Sequence, residues 1–125
     1  MSTKLTVPDN PTPAQLQHLL SVCSNEIAKL ADLVATYKQD AAIKTTTYKR
    51  AMARAIVKNQ GKGNVSLVKS LAELDEEVIK ATDEVDMTEA VYALAKAELD
   101  GYDALFVALR KIAEIRKTEM NRIHG

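Results

Sequence analysis

The residue types that carry most enzyme chemistry are scarce and scattered in this sequence. Its two histidines, His18 and His124, have no evident carboxylate or cysteine partner. Asp83, Asp86 and Glu89 recur every three residues, but helical two-metal sites also require histidine at Glu-x-x-His spacing, which is missing here. The sequence therefore predicts no catalytic residue, no metal site and no cofactor, and we expect these three acids to form a solvated face.

The glycine turn and the single cysteine also lack the surroundings of a chemical site. Lys62 is followed by Gly63 rather than by Ser or Thr, and the flanking sequence of a phosphate-binding loop is absent. Cys23 is the only cysteine, which excludes an intrachain disulfide, and its position favours a small buried thiol. We expect a non-enzymatic protein without a small-molecule substrate, in the reducing cytoplasm.

Charge is the stronger functional signal, because it is segregated along a chain whose 17 bases balance its 17 acids. Residues 41–64 hold six bases and no acid, residues 70–103 hold eleven acids and two bases, and residues 104–125 hold five bases and two acids. The neutral total argues against a uniformly cationic nucleic-acid binder. A local acid-free segment can nevertheless bind phosphates.

The acid-free segment supplies the candidate nucleic-acid site. Tyr48 adjoins two of its cations, so the ring could stack on a base while the cations hold the flanking phosphates, and core packing is the equal alternative. The competing interpretation of the whole segment is charge pairing with residues 70–103, which would bring Lys58 and Lys62 close to Glu73 and Glu77. The candidate nucleic-acid-binding residues are Lys44, Tyr48, Lys49, Arg50, Arg54, Lys58 and Lys62.

A long first helix must position most of these cations. The capping-box pattern from Thr12 to Gln15 predicts that an extended arm over residues 1–12 gives way to a helix over about 13–60. The β-branched threonines at 45–47 lower helix propensity, which allows a bend near 42–47. Gly61 and Gly63 then end the helix.

A second long helix is predicted over 65–123, with Asn64 or Ser66 as its cap and a hinge allowed at 100–101, where Gly101 stands. The domain prediction is therefore one arm, 1–12, and one helical domain, 13–125. The two long helices of this domain are predicted to form a hairpin at the glycine turn. No sustained strand-like alternation appears in the sequence.

Both helices carry an apolar seam with heptad spacing, which is typical of helices that face each other over a long distance. A second stripe, containing Met87, Val91, Leu94, Leu105, Ile112 and Ile115, widens the apolar face of the second helix. One partner helix cannot cover both stripes, so the prediction is an all-α, coiled-coil-like hairpin bundle that forms homo-oligomers, with a compact single-chain bundle as the alternative. The predicted seam contains Leu16, Leu20, Ile27, Leu30, Val34, Leu71, Leu74, Val78, Val85, Tyr92, Leu99, Phe106 and Leu109.

The order of features over residues 48–120 resembles a known family. A basic helix with AMARAI, the turn GKG, the stretch KSLAELDEEVIKATDEVD, then VYALAKAELDGYDAL and a closing RKIAEIRKTEM resemble the UvsY-type recombination mediators of phages. The resemblance implies a small helical protein that forms rings, binds single-stranded DNA and helps to load a recombinase in place of single-strand binding protein.

On this resemblance, Arg54 matches the arginine of the family's DNA-contacting segment and Lys62 matches the basic residue of its glycine turn. Met52 stands where the family has a lysine, so that part of the DNA contact is missing or has moved to Lys49 and Arg50. The chain also has no tryptophan. The implied partners are single-stranded DNA and a recombinase or single-strand binding protein.

Two functions of other classes compete with this prediction. The acidic face from Asp75 to Glu89 could bind the basic surface of a host protein, as an adaptor or inhibitor. Alternatively, the chain could be a structural component of a larger assembly such as a virion, with its proline-containing arm on a neighbour. No apolar run has the length of a signal peptide or membrane span, so the expected location is the cytoplasm, that of the host if the protein is phage-encoded.

Overall fold

The chain is helical throughout most of the part that the computed structural model describes, residues 5–124, with side chains to Arg122. Three helices follow one another, α1 (Pro13–Asn59), α2 (Val65–Glu73) and α3 (Glu76–His124), and no strand occurs between residues 5 and 124. The predicted all-α class is confirmed.

α1 begins with the capping box that the sequence predicted. The Thr12 backbone N–H donates to Gln15 Oε1 at 2.9 Å, and the Gln15 N–H donates to Thr12 Oγ1 at 3.2 Å. Residues 5–12 are not helical, and Leu5 and Val7 within them pack against a core cluster of the same chain. The described part of the arm therefore packs against a core of the same chain.

The threonine run at 45–47 does not interrupt α1. Each of the three hydroxyls donates to the carbonyl four residues earlier, at 2.9, 3.1 and 3.1 Å, so these side chains are satisfied within the helix. α3 likewise continues without a break through Gly101. Glycine inside a helix costs only about 1 kcal/mol, and burial of the neighbouring Tyr102 helps to offset it.

The structure divides the single helix predicted over 65–123 at Leu74 and Asp75. The Leu74 N–H donates to the Leu71 carbonyl at 3.2 Å, which closes α2. Asp75 Oδ1 then accepts the Glu77 N–H at 3.0 Å, which satisfies one of the free N–H groups at the start of α3. An aspartate cap thus starts a new helix where the apolar spacing alone predicted continuation.

The turn between α1 and α2 has the residues that its backbone requires. Gly61 has φ +86°, in the left-handed region that favours glycine. Asn64 is the N-cap of α2, and its side chain accepts the Leu67 N–H at 2.9 Å. Of the two caps predicted for this helix, Asn64 is the one used.

The helices form two compact units, each with its own core. Unit 1 comprises the described parts of Met1–Asp32 and Lys96–Gly125, and unit 2 comprises Leu33–Ala95. The core of unit 1 is built from large side chains and Cys23, whereas the core of unit 2 is built mainly from alanines. The buried members are Leu16, Leu19, Cys23, Leu30, Tyr102 and Leu109 in unit 1, and Ala51, Ala55, Ala72, Val78 and Ala81 in unit 2.

Most residues of the predicted seam are covered within their unit. Leu74 is the exception, because it lies at the end of α2 with 71% of its surface exposed. Of the second stripe, Leu105 and Ile112 pack against the core of unit 1. The buried seam residues are Leu16, Leu30, Val78 and Leu109, and the half-buried ones are Leu20, Ile27, Val34, Leu71, Val85, Tyr92, Leu99 and Phe106.

Candidate nucleic-acid interface

Unit 2 carries the candidate cations on the last turns of α1 and in the glycine turn that follows. The core face of this segment carries Ala51 and Ala55, with Tyr48, Met52 and Ile56 packed against the same cluster. Since these residues recur every three or four positions, the intervening residues lie on the flanks and outer face of the helix. Lys49, Arg50 and Arg54 are among these intervening residues.

Three of the six cations are paired with carboxylates of unit 2. Lys44 Nζ lies 3.7 Å from Glu84 Oε2, and Lys58 Nζ lies 3.4 Å from Asp75 Oδ2. The Arg54 guanidinium donates to Glu77 Oε1. The side chains of Arg54 and Glu77 are 59% and 55% exposed, and an ion pair this open to water contributes only about 0 to 1 kcal/mol.

Asp75 combines a helix cap with one of these ion pairs. Its Oδ1 accepts the Glu77 backbone N–H, and its Oδ2 contacts Lys58. The hydrogen bond from Glu77 is the main reason that the pKa of the Asp75 carboxyl lies below its usual range, and Lys58 lowers that pKa further. The carboxylate form is thus favoured at the start of α3.

The other three cations are exposed and are not part of any ion pair within residues 5–124. Lys49 and Arg50 are adjacent on α1, and Lys62 lies in the glycine turn. The charge-pairing interpretation therefore accounts for half of the segment's positive charge. It leaves Lys49, Arg50 and Lys62 available to an external anion.

The pairing partners differ from those that the sequence suggested. Lys58 and Lys62 were expected near Glu73 and Glu77, but Lys58 contacts Asp75 and the Glu77 carboxylate binds Arg54. The break before α3 changes which acids face α1, because Asp75 caps a new helix and Glu77 lies in its first turn, so that neither extends α2.

Tyr48 and the glycine turn are the two uncharged features of the candidate surface. Tyr48 is half-buried and packs against the alanine core, so core packing describes its position better than an open stacking platform does. An open groove of about 340 Å³ lies at the turn, lined by apolar residues of α1 and α2, by Gln60 and two glycines of the turn, and by Lys69. Lys69 is exposed, and it was not among the predicted site residues because the acid-free segment was ended at residue 64, although the first acid after Asp40 is Glu73.

The acidic part of α3 forms an exposed surface of mixed character in unit 2. Asp83, Asp86 and Glu89 are all exposed, in agreement with a solvated face. Met87 and Leu94, from the second stripe, are 70% and 71% exposed on the same helix. Both acidic and apolar side chains are therefore exposed to solvent on this part of α3.

The remaining candidate chemistry is not assembled. Among residues 5–122, no cluster of histidine, cysteine, aspartate and glutamate is arranged to hold a metal ion. His18 is exposed, and the side chain of His124 lies outside the described residues. Cys23 is buried, its Sγ lies 3.5 Å from the Tyr102 carbonyl oxygen, and burial raises the pKa of its thiol, with Asp103 adding to the effect.

None of the three described helices contains an apolar stretch long enough to cross a membrane. Comparison of the chain with protein-family models, curated proteins and solved structures gives no match.

Proposed function

We propose that this chain is a non-enzymatic accessory protein that binds single-stranded DNA through the cationic segment of α1 and acts as an oligomer in recombination or replication. The resemblance to UvsY-type mediators supports the same function and suggests a phage source, with a recombinase or single-strand binding protein as the further partner. The observation that carries the proposal is the exposure of Lys49, Arg50 and Lys62 without an ion pair in residues 5–124.

Single-stranded DNA suits this surface better than a duplex groove does. The cations lie on one helix and its following turn, so a flexible phosphate backbone can adapt to them. The groove at the turn is lined by Ile56, Val65 and Val68, and it offers an apolar contact for a base beside Lys69. Each site is weak alone, and several copies binding one strand would add their contacts.

Reversing the two adjacent free charges tests the proposal. Lys49→Glu combined with Arg50→Glu should weaken binding of labelled single-stranded DNA by about tenfold to a hundredfold at low salt, because two phosphate contacts are lost. The slope of log K against log salt should become shallower by about 1.4, since each contact to single strands contributes about 0.7. Fluorescence anisotropy at several salt concentrations measures both quantities.

The matched control is Lys38→Glu combined with Lys80→Glu. It makes the same change in net charge at two exposed positions of unit 2 outside the acid-free segment. An equal loss in both double variants would show that only total charge matters. No binding by the unmodified protein at about 50 mM salt, where phosphate contacts are strong, would refute the proposal.

The exposed apolar side chains of unit 2 support the oligomeric part of the proposal. Met87, Val91 and Leu94 recur at helical spacing on α3, and burying them between copies would remove them from water. We expect light scattering to give a mass several times the 13.7 kDa of one chain. Leu94→Glu should reduce that mass, whereas a single-chain mass for the unmodified protein would contradict association.

A protein-binding function is the second candidate, because the same stretch of α3 exposes Asp83, Asp86 and Glu89 next to its apolar residues. An adaptor or inhibitor would use these carboxylates against a basic partner surface. It would be favoured if the unmodified protein failed to bind DNA at every salt concentration.

A further inference from the structure

The ion pairs of unit 2 place carboxylates where the proposed function would place phosphates. Glu84, Glu77 and Asp75 contact Lys44, Arg54 and Lys58 respectively, and all six residues belong to unit 2. A carboxylate and a phosphate offer the same kind of acceptor oxygen to a lysine or arginine. An arriving strand and the acids of the chain therefore compete for the same three cations.

We propose that Asp75, Glu77 and Glu84 form an intramolecular autoinhibitory contact, in which carboxylates occupy half of the DNA-binding cations until single-stranded DNA displaces them. This inference rests on the proposed function. In this scheme, DNA first contacts the cations that have no ion pair within residues 5–124, Lys49, Arg50 and Lys62. Lys44, Arg54 and Lys58 are assigned to a second stage that is reached only after their ion pairs break.

The exposure of the pairs makes such an exchange feasible. The Arg54 and Glu77 side chains are 59% and 55% exposed, and the Lys44 and Glu84 side chains are 35% and 39% exposed. Water can therefore reach both charges of each pair, and a pair in water holds its partners weakly. The Lys58 to Asp75 pair differs on one side, because Asp75 is only 17% exposed and also caps α3.

The effect on DNA affinity follows from the cost of breaking the pairs. Each exposed pair that must open reduces affinity by roughly one and a half- to fivefold, so two pairs together reduce it by roughly twofold to twenty-five-fold. Replacing one bound carboxylate by one phosphate gains little binding free energy. The paired cations would therefore bind best where several phosphates lie close together.

Glu77→Gln combined with Glu84→Gln tests the proposal while leaving the Asp75 cap intact. We expect this variant to bind a labelled oligothymidylate about twofold to twenty-five-fold more tightly than the unmodified protein at low salt. The matched control is Glu76→Gln combined with Asp83→Asn, which removes the same charge. Glu76 also lies in the first turn of α3, and Glu76 and Asp83 are exposed and outside the ion pairs of residues 5–124.

The outcomes separate this inference from the function on which it rests. A larger gain in DNA affinity for the Glu77 and Glu84 variant than for its control supports autoinhibition. DNA binding by the unmodified protein, with equal gains or no gain in the two double variants, overturns autoinhibition and leaves the proposed function standing. Absence of binding by the unmodified protein at about 50 mM salt overturns the proposed function together with the inference.

Discussion

Replacing Leu109 with alanine is expected to lower the free energy of unfolding by about 3 to 5 kcal/mol. Leu109 is 1% exposed and belongs to the core of unit 1 with Leu16 and Tyr102. Alanine would remove buried apolar surface and leave a cavity between side chains of α1 and α3. Urea unfolding followed by circular dichroism, with linear extrapolation to water, measures the loss.

Val107→Ala is the matched control, because Val107 lies two residues away on α3 and is 64% exposed. Its truncation removes little buried surface, and alanine is the better helix former, so we expect a change within about 0.5 kcal/mol. Similar losses for both variants would contradict the core assigned to unit 1.

Enlarging Ala55 to leucine should destabilise unit 2 by about 1 to 3 kcal/mol, through overpacking rather than through a cavity. Ala55 is 3% exposed and lies in a cluster with Ala51, Ala72 and Ala81. Small side chains let helices approach closely, so three added carbon atoms must push helices or side chains apart. The expected readout is a lower urea midpoint.

Ala53 supplies the comparison for this substitution, since it lies on the same helix and is exposed. Ala53→Leu adds the same atoms to water instead of to the core, and we expect stability to change by no more than about 0.5 kcal/mol. If Ala55→Leu were tolerated as well as Ala53→Leu, the alanine-lined contact in unit 2 would be refuted.

Features set by neighbouring residues were predictable from the sequence. The reciprocal bonds between Thr12 and Gln15 need only a three-residue spacing, and Gly61 followed by an Asn64 cap needs only a short turn. In each case the side chain that stabilises the helix end lies within one turn of it. Local chemistry was therefore sufficient.

The division between α2 and α3 was not predicted, because Leu71, Leu74 and Val78 maintain the seam spacing across it. The signal that could have revealed it is Asp75 followed by two glutamates, a typical cap with acids in the first turn. Apolar periodicity records which residues face a core, but it does not record whether the backbone continues between them.

The candidate site was only partly predictable for the same reason. The sequence identified the cations and raised charge pairing as a competing explanation, but the choice of partner depends on where α3 begins. Arg54 meets Glu77, while Lys62 has no ion pair within residues 5–124. Which acid pairs with which base depends on how the helices are placed against each other in unit 2. Charge counts along the chain do not give that placement.

The two oxygens of the Asp75 carboxylate link acidity to cation availability. One oxygen caps α3 and the other holds Lys58, and the pKa of the carboxyl is lower in the folded chain than in an unfolded one. The resulting stabilisation is complete above the unfolded pKa and disappears as the pH falls through the folded value. Protonation of the Asp75 carboxylate would therefore weaken the first turn of α3 and release Lys58 at the same time.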